Sequence, residues 1–203
     1  MKNICNLILI DASGSMQNRV SDVKGGLLKL FSDIQKQEGI NQHTILCDFS
    51  YDFNVLINSV NPKDLTAEVI EKYSTRGSTS LFDAIKKAFN MVPKGMDGVF
   101  VSILTDGEEN SSKECNSDEV KRLISSGKES KWGITFMGCD EKALDVAKNI
   151  GITNTLSFMN SSDGYKMSDN ARSTSFTAYV SSVKSMVTLD DIQTENLFGN
   201  KQI

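Results

Sequence analysis

The chain alternates short apolar runs with longer segments in which apolar residues recur every three or four positions. Short continuous runs are typical of buried strands, and the wider spacing is typical of amphipathic helices. The apolar runs predict six strands, at residues 4–10, 44–49, 53–59, 98–104, 132–137 and 153–158. The spaced segments predict helices near residues 20–39, 64–72, 81–92, 117–124, 140–150 and 176–187, the fourth of them capped by Ser117. This alternation of strands and helices predicts a parallel sheet with helices packed on it.

One strand of this sheet is expected to run the other way. Residues 44–49 and 53–59 are joined by only three residues, which is too short for a crossover between parallel strands. The predicted fold class is therefore α/β, a Rossmann-like three-layer sandwich with a mostly parallel central sheet, one antiparallel edge strand and helices on both faces. The length of 203 residues fits one domain, assigned to residues 1–187. Residues 188–203 lose the helical spacing and are predicted to form a polar C-terminal tail.

Composition narrows the classes of partner. The 26 acidic residues outnumber the 22 basic ones, the net charge is -4, and no basic cluster is present, so no nucleic-acid partner is expected. The first apolar run is short and is interrupted by polar residues. It is therefore not expected to be a signal peptide or to span a membrane. The four cysteines are scattered without a C-x-x-C pair. Reduced thiols and a cytoplasmic location are predicted.

Side chains with oxygen atoms follow the ends of two predicted parallel strands and precede one helix. Asp11, Ser13 and Ser15 follow the first strand, Asp106 follows the fourth, and Thr79 lies just before a helix. The carboxyl ends of parallel strands meet at one edge of a sheet, so these side chains are expected to lie together. Mg²⁺ prefers oxygen ligands of these kinds. The pattern predicts a divalent-cation site for Mg²⁺, with Mn²⁺ or Ca²⁺ as alternatives.

These residues, in this order, resemble the metal-ion-dependent adhesion site (MIDAS) of von Willebrand factor A domains, whose pattern is D-x-S-x-S followed by a separate threonine and a separate aspartate. The flanks are similar too: residues 76–85 resemble G-G-T-x-L-x-D-A-I, with Ser78 replacing a glycine, and residues 104–110 resemble T-D-G-x-x-N. The resemblance covers about residues 4–187. The strand at residues 132–138 is similar to that of stand-alone bacterial and phage domains of this type.

The resemblance implies a function as well as a fold. In the family, the serine hydroxyls contact the metal, the threonine does so directly or through water, and the aspartates mostly hold water ligands. Neutral hydroxyls leave the cation under-neutralised, so it attracts a further anion, commonly an acidic side chain of a partner protein. The chain is therefore expected to be a non-enzymatic protein–protein interaction module that binds an unidentified partner through an exposed Asp or Glu.

Two other functions fit the same pattern. The metal could be purely structural in a scaffold or assembly subunit. A Mg²⁺-dependent phosphohydrolase of the haloacid dehalogenase type also has an aspartate after an apolar strand, but it resembles D-x-D there. Ser13 occupies the second acidic position in this chain, and no later lysine with a paired acidic motif is evident.

Four charged residues near the motifs have plainer interpretations than metal binding. Ser80 followed three residues later by Asp83 resembles a capping box, so Asp83 is predicted to cap a helix. Arg76 is predicted to be an exposed loop residue, with steering of an acidic partner as the alternative. Glu108 and Glu109 are predicted to lie in a solvated loop, although they could line the rim of the site.

Overall fold

The computed structural model describes residues 1–107 and 109–199. Its six strands form one sheet in the order β3-β2-β1-β4-β5-β6. The strands are β1 (Lys2–Asp11), β2 (Ile40–Phe49), β3 (Phe53–Ser59), β4 (Gly98–Thr105), β5 (Gly133–Gly138) and β6 (Asn154–Ser157). All neighbouring strands are parallel except β2 and β3, which form the antiparallel hairpin at one edge. The predicted sheet is confirmed.

Helices cover both faces of the sheet. They are α1 (Val20–Gln35), α2 (Ala67–Glu71), α3 (Leu81–Phe89), α4 (Ser117–Glu129), α5 (Glu141–Asn149) and α6 (Ser162–Ser185). Buried residues of α1, α2 and α6 form one apolar core with the sheet, and those of α3, α4 and α5 form a second core on its other face. This is the predicted three-layer sandwich.

The central strand β1 explains where the candidate site lies. Each of its residues from Ile4 to Asp11 is buried, and its side chains alternate between the two cores. A strand buried on both faces is apolar over most of its length, as expected in a parallel sheet. Because β1 pairs with both β2 and β4, with Ile10 opposite Leu104, the loops after β1 and β4 leave the sheet side by side.

The last helix differs from the prediction. It begins at Ser162 and ends at Ser185, so Val187 lies beyond it and is 90% exposed instead of facing inward. The sequence pattern does not reveal the early turns of α6, because this helix buries small polar side chains there. Ser168 and Ser175 are completely buried, and their hydroxyls donate to the carbonyls of Tyr165 and Ala171 at 2.8 and 2.9 Å. Because these serines are buried with their hydroxyls hydrogen-bonded, the buried face of the helix has no regular spacing of apolar residues from which it could be predicted.

The described part of the predicted tail packs against the rest of the protein. Ile192, Leu197 and Phe198 are buried. The backbone N–H of Leu197 donates to Asn154 Oδ1 at 2.9 Å, and its carbonyl accepts from Ser175 Oγ at 2.7 Å. Residues 188–199 therefore contact β6 and α6. Three isolated apolar side chains hold this segment in place, although its apolar residues show no regular spacing.

Two further properties bear on function. Cys5, Cys47 and Cys115 are buried, Cys139 is partly buried, and all four are free thiols. In residues 1–107 and 109–199, no helix has the length and apolar character needed to cross a membrane.

Candidate metal site

Asp11 ends β1 at the carboxyl edge of the sheet and is completely buried. Its Oδ1 accepts from the backbone N–H of Ser13 at 2.7 Å, and its Oδ2 accepts from Thr105 Oγ1 at 2.5 Å. The backbone carbonyl of Asp11 accepts from the Tyr73 hydroxyl at 2.7 Å. Burial raises the pKa of Asp11 to about 6, although the hydrogen bonds from Thr105 and Ser13 oppose that rise. Hydrogen bonds thus fix the position of the Asp11 carboxylate, which has lost its contact with water.

The two serines connect Asp11 to the loop after β4. Ser13 Oγ lies 3.0 Å from Ser15 Oγ, and Ser15 Oγ donates to Asp106 Oδ1 at 2.6 Å. Ser13 and Asp106 are buried, and Ser15 is exposed. Burial raises the pKa of Asp106 as well, against the hydrogen bond from Ser15. Segments 91 residues apart therefore meet through side-chain oxygen atoms.

Thr79 completes the group from a third segment. It is buried, and its backbone N–H donates to Asn110 Oδ1 at 2.9 Å while its carbonyl accepts from the N–H groups of Asn110 and Ser111 at 3.0 and 3.1 Å. A Cβ atom built on Gly107 would lie 3.7 Å from Thr79 Oγ1 and 4.0 Å from Ser15 Oγ. Both hydroxyls therefore lie next to the backbone that follows Asp106. The structure brings all five predicted side chains to one edge of the sheet.

The group contains two carboxylates and three hydroxyls, which are the hard oxygen donors that Mg²⁺ prefers. Asp11 and Asp106 are buried, yet neither forms an ion pair with a basic side chain of the described residues. Buried anions without a partner are costly, and a bound cation would remove that cost. Across residues 1–107 and 109–199, no group of three or more His, Cys, Asp or Glu side chains could hold a metal. A metal site here would thus depend on the hydroxyls, and the residues fit one.

Asp83 has a different role from the one predicted. Ser80 precedes α3 at the N-cap position but forms no side-chain capping bond, so the predicted capping box is absent. Asp83 is buried and instead accepts from the backbone N–H groups of Lys113 and Glu114, both at 2.9 Å. The carboxylate holds the segment after the Asp106 loop against α3. A true capping box occurs at α4, where Asn116, and not Ser117, is the cap.

Glu109 also bridges these two segments and is not a freely solvated residue. Its carboxylate accepts from the N–H of Phe82 at 2.8 Å and from the N–H groups of Ser111 and Ser112 at 2.9 and 2.7 Å. The Glu109 carboxylate therefore accepts from a backbone N–H in the first turn of α3 that has no acceptor within the helix. Glu108 lies outside the described residues.

Arg76 is neither an exposed loop residue nor a free charge that could steer a partner. Its side chain is 19% exposed and forms ion pairs with Asp48 at 2.6 Å and Asp52 at 2.7 Å. Sequence patterns could not show these pairs, because the partners lie 24 and 28 residues earlier in the chain.

Comparison with known proteins places this chain in a family. The model of the von Willebrand factor type A domain matches residues 7–195. The fold is similar to that of proximal thread matrix protein 1 from the mussel byssus with a zinc-occupied MIDAS motif, at 18% identity and a TM-score of 0.64, covering 85% of this chain and 45% of that one. It is also similar to the pilus adhesin SpaC from Lactobacillus rhamnosus GG, at 15% identity and a TM-score of 0.63, covering 85% and 30%.

A third similar structure is the conserved hypothetical protein BatB from Bacteroides thetaiotaomicron, at 15% identity and a TM-score of 0.57, covering 84% of this chain and 96% of that one. The chain spans less than half the length of the mussel and Lactobacillus proteins. No curated protein sequence matches it. At these identities the solved structures support the fold, and the family model covers most of the sequence. The chain belongs to the von Willebrand factor type A domain family.

Proposed function

We propose that this protein is a non-enzymatic protein–protein interaction module in which Mg²⁺, held by the five clustered side chains, binds an acidic residue of a partner protein. These side chains are Asp11, Ser13, Ser15, Thr79 and Asp106. One observation carries the proposal: three separate segments bring oxygen atoms together around two buried carboxylates, neither of which forms an ion pair with a basic side chain of the described residues.

The ligand set favours capture of a further anion. When bound, Mg²⁺ supplies a positive charge and a coordination position that an outside carboxylate can fill. Three of the five donors are neutral hydroxyls, and the charge of Asp11 is already shared with Thr105 and Ser13 through hydrogen bonds. Ser15 is exposed, so the group is open to solvent on that side. A partner carboxylate could therefore approach without rearrangement of the buried residues.

A protein partner with an exposed Asp or Glu is the proposed ligand, and Mn²⁺ or Ca²⁺ could replace Mg²⁺. The family resemblance to adhesins and matrix proteins supports protein interaction in general, and one of those relatives holds zinc in its MIDAS motif. The net charge of -4 argues against nucleic acid. We also propose a cytoplasmic location, with which the four free thiols are consistent.

The described residues do not supply the chemistry that the phosphohydrolase alternative requires. A phosphoaspartate route needs a general acid two positions after the nucleophile, where this chain has Ser13. The basic residue on the adjoining loop, Arg76, is already engaged by two aspartates. The scaffold alternative differs from the proposal only in what the metal does, so it is an outcome of the experiments below.

The first experiment measures metal binding. Mg²⁺ is titrated calorimetrically, and the unfolding midpoint is measured in Mg²⁺ and in EDTA for the wild type, Ser13→Ala and Asp106→Asn. A ligand specific to the folded state adds about 2.7 kcal/mol of stability at a hundred times its Kd. The two variants should lose this gain. Ser125→Ala and Asp145→Asn, at exposed positions of α4 and α5, are matched controls that should keep it.

The second experiment separates docking from a structural metal. The protein and the same variants are used for affinity capture from the native cell extract, with Mg²⁺ or with EDTA. Docking requires that partners be recovered by the wild type and the controls in Mg²⁺ only. Recovery of the same partners in EDTA, combined with Mg²⁺-dependent stability, would favour the scaffold function and reject docking.

A further inference from the structure

The loop between α2 and α3 presents Thr79 but has no helix or strand of its own. Backbone hydrogen bonds hold it next to the segment that follows β1. The N–H of Arg76 donates to the carbonyl of Ala12 at 2.6 Å, and the N–H of Gly14 donates to the carbonyl of Gly77 at 3.0 Å. The loop that contains Thr79 therefore lies directly beside the two serines of the candidate site.

The side chain of Arg76 attaches this loop to β2, the strand beside β1. Its Nη2 lies 2.6 Å from Asp48 Oδ1 at the end of β2, and its Nε lies 2.7 Å from Asp52 Oδ1 in the turn between β2 and β3. Its Nη1 donates to the carbonyl of Ser74 at 2.9 Å within the loop. The flat fork of guanidinium donors allows one side chain to reach three acceptors at once, which an ammonium group on a flexible stem does not do.

The burial of Asp48 makes this attachment strong. Asp48 is only 1% exposed, and Arg76 is the one basic side chain of the described residues that pairs with it. Its other side-chain partner is Asn54 Nδ2, at 3.2 Å. If the loop moved away from β2, a buried carboxylate would lose its counter-ion, which is strongly unfavourable. The loop is therefore held in place whether or not a metal is bound.

We propose that Arg76 is a positioning residue of the metal site: its pairs with Asp48 and Asp52 keep the loop closed on β2 and thereby hold the Thr79 hydroxyl among the other donors. This inference rests on the proposed metal-binding function. Arg76→Lys keeps the charge but loses the fork. Outer partners that orient ligands typically contribute tenfold or more to metal affinity, so we expect the variant to bind Mg²⁺ about tenfold more weakly.

The test uses the full chain and two measurements. Mg²⁺ affinity is determined by calorimetry at a temperature at which circular dichroism shows every variant to be folded. Limited trypsin digestion in EDTA, read by mass spectrometry, then compares cleavage after residue 76 with cleavage at the other lysines and arginines. Arg76→Lys retains the cleavage site, so the rates can be compared. Arg122→Lys, at an exposed position of α4, is the matched control.

Asp52→Asn is the second variant, because Asp52 is partly exposed and its loss leaves the buried pair of Asp48 and Arg76 intact. Weaker Mg²⁺ binding by both variants, with faster cleavage at residue 76 alone, is the expected result. If Arg76→Lys binds Mg²⁺ with wild-type affinity, the inference is overturned and the proposed function stays intact. If Arg76→Lys does not fold, wild-type Mg²⁺ affinity in Asp52→Asn overturns it in the same way. Faster cleavage at all sites would overturn it too, because the effect would then be general destabilisation. Absence of Mg²⁺ binding by the wild type would reject both proposals.

Discussion

Two adjacent glycines of α1 should respond in opposite ways to the same substitution. A Cβ atom built on Gly26 would lie 2.2 to 2.4 Å from the carboxyl atoms of Asp169 on α6, which is far too close. A Cβ atom on Gly25 would meet nothing within 4 Å. Alanine at residue 26 should therefore displace Asp169, whereas alanine at residue 25 should only improve the helix.

The magnitude follows from the surroundings of Asp169. This residue is 8% exposed, and its Oδ1 accepts from Nη2 of Arg172, which is 1% exposed. The Nε and Nη1 atoms of Arg172 have no hydrogen-bond partner among the described residues. Breaking such a buried pair costs about 3–5 kcal/mol. Replacing glycine by alanine within a helix returns about 1 kcal/mol. Gly26→Ala should thus lose roughly 2–4 kcal/mol of unfolding free energy, and Gly25→Ala should gain about 1 kcal/mol.

Urea denaturation followed by circular dichroism measures both changes, with the slope of the free energy against urea checked for constancy. For a chain of this size, each kcal/mol shifts the thermal midpoint by about 2–4 °C, so the two variants should melt on opposite sides of the wild type. If Gly26→Ala were as stable as Gly25→Ala, the close contact between α1 and Asp169 would be refuted.

Four other predictions are independent of that contact. Tyr51 is 64% exposed and lies over Gly77, in the loop that presents Thr79 to the candidate metal site. Tyr51→Ala should therefore reduce capture of the proposed partner while leaving Mg²⁺ affinity unchanged, and a change in Mg²⁺ affinity would contradict this separation. Burial raises the pKa of Cys5 and Cys47 to about 12, so neither should react with iodoacetamide at pH 8 in the folded protein, as mass spectrometry can check. Because these thiols ionise more easily when unfolded, the urea midpoint should fall as pH rises above about 9, and a flat profile would contradict their burial. Glu109→Ala removes the acceptor shared by three backbone N–H groups, and the resulting loss of about 1–3 kcal/mol should appear in urea denaturation, with the exposed Glu129→Ala unchanged.

Buried strands and a spaced motif are what this sequence reveals most directly. The strand β4 is apolar over nearly all its length because helices cover both of its faces, so its bounds were predicted within one residue. The neighbourhood of Asp11 and Asp106 was predictable for a different reason. Parallel strands adjacent in a sheet end at the same edge, and a motif split between two such ends can be recognised without knowledge of the loops.

The contacts that hold the loops were not predictable. Asp83 and Glu109 bind backbone groups of each other's segments about 30 residues away, and no local pattern distinguishes such residues from a helix cap or a solvated charge. Arg76 resembles any loop arginine until the fold brings Asp48 beside it. Each of these residues is polar, so hydrophobic spacing contains no information about its burial.

The C-terminal segment has a practical consequence for anyone who expresses this domain. Cutting the chain after residue 187, where the sequence pattern ends, would remove Leu197, which hydrogen-bonds with both Asn154 and Ser175, and would uncover the apolar surface beneath it. The newly exposed surface would lie at β6, the last strand of the sheet, where an unprotected edge invites pairing between molecules. A shortened protein should aggregate at concentrations at which the full chain stays monodisperse, and a usable boundary lies beyond Phe198.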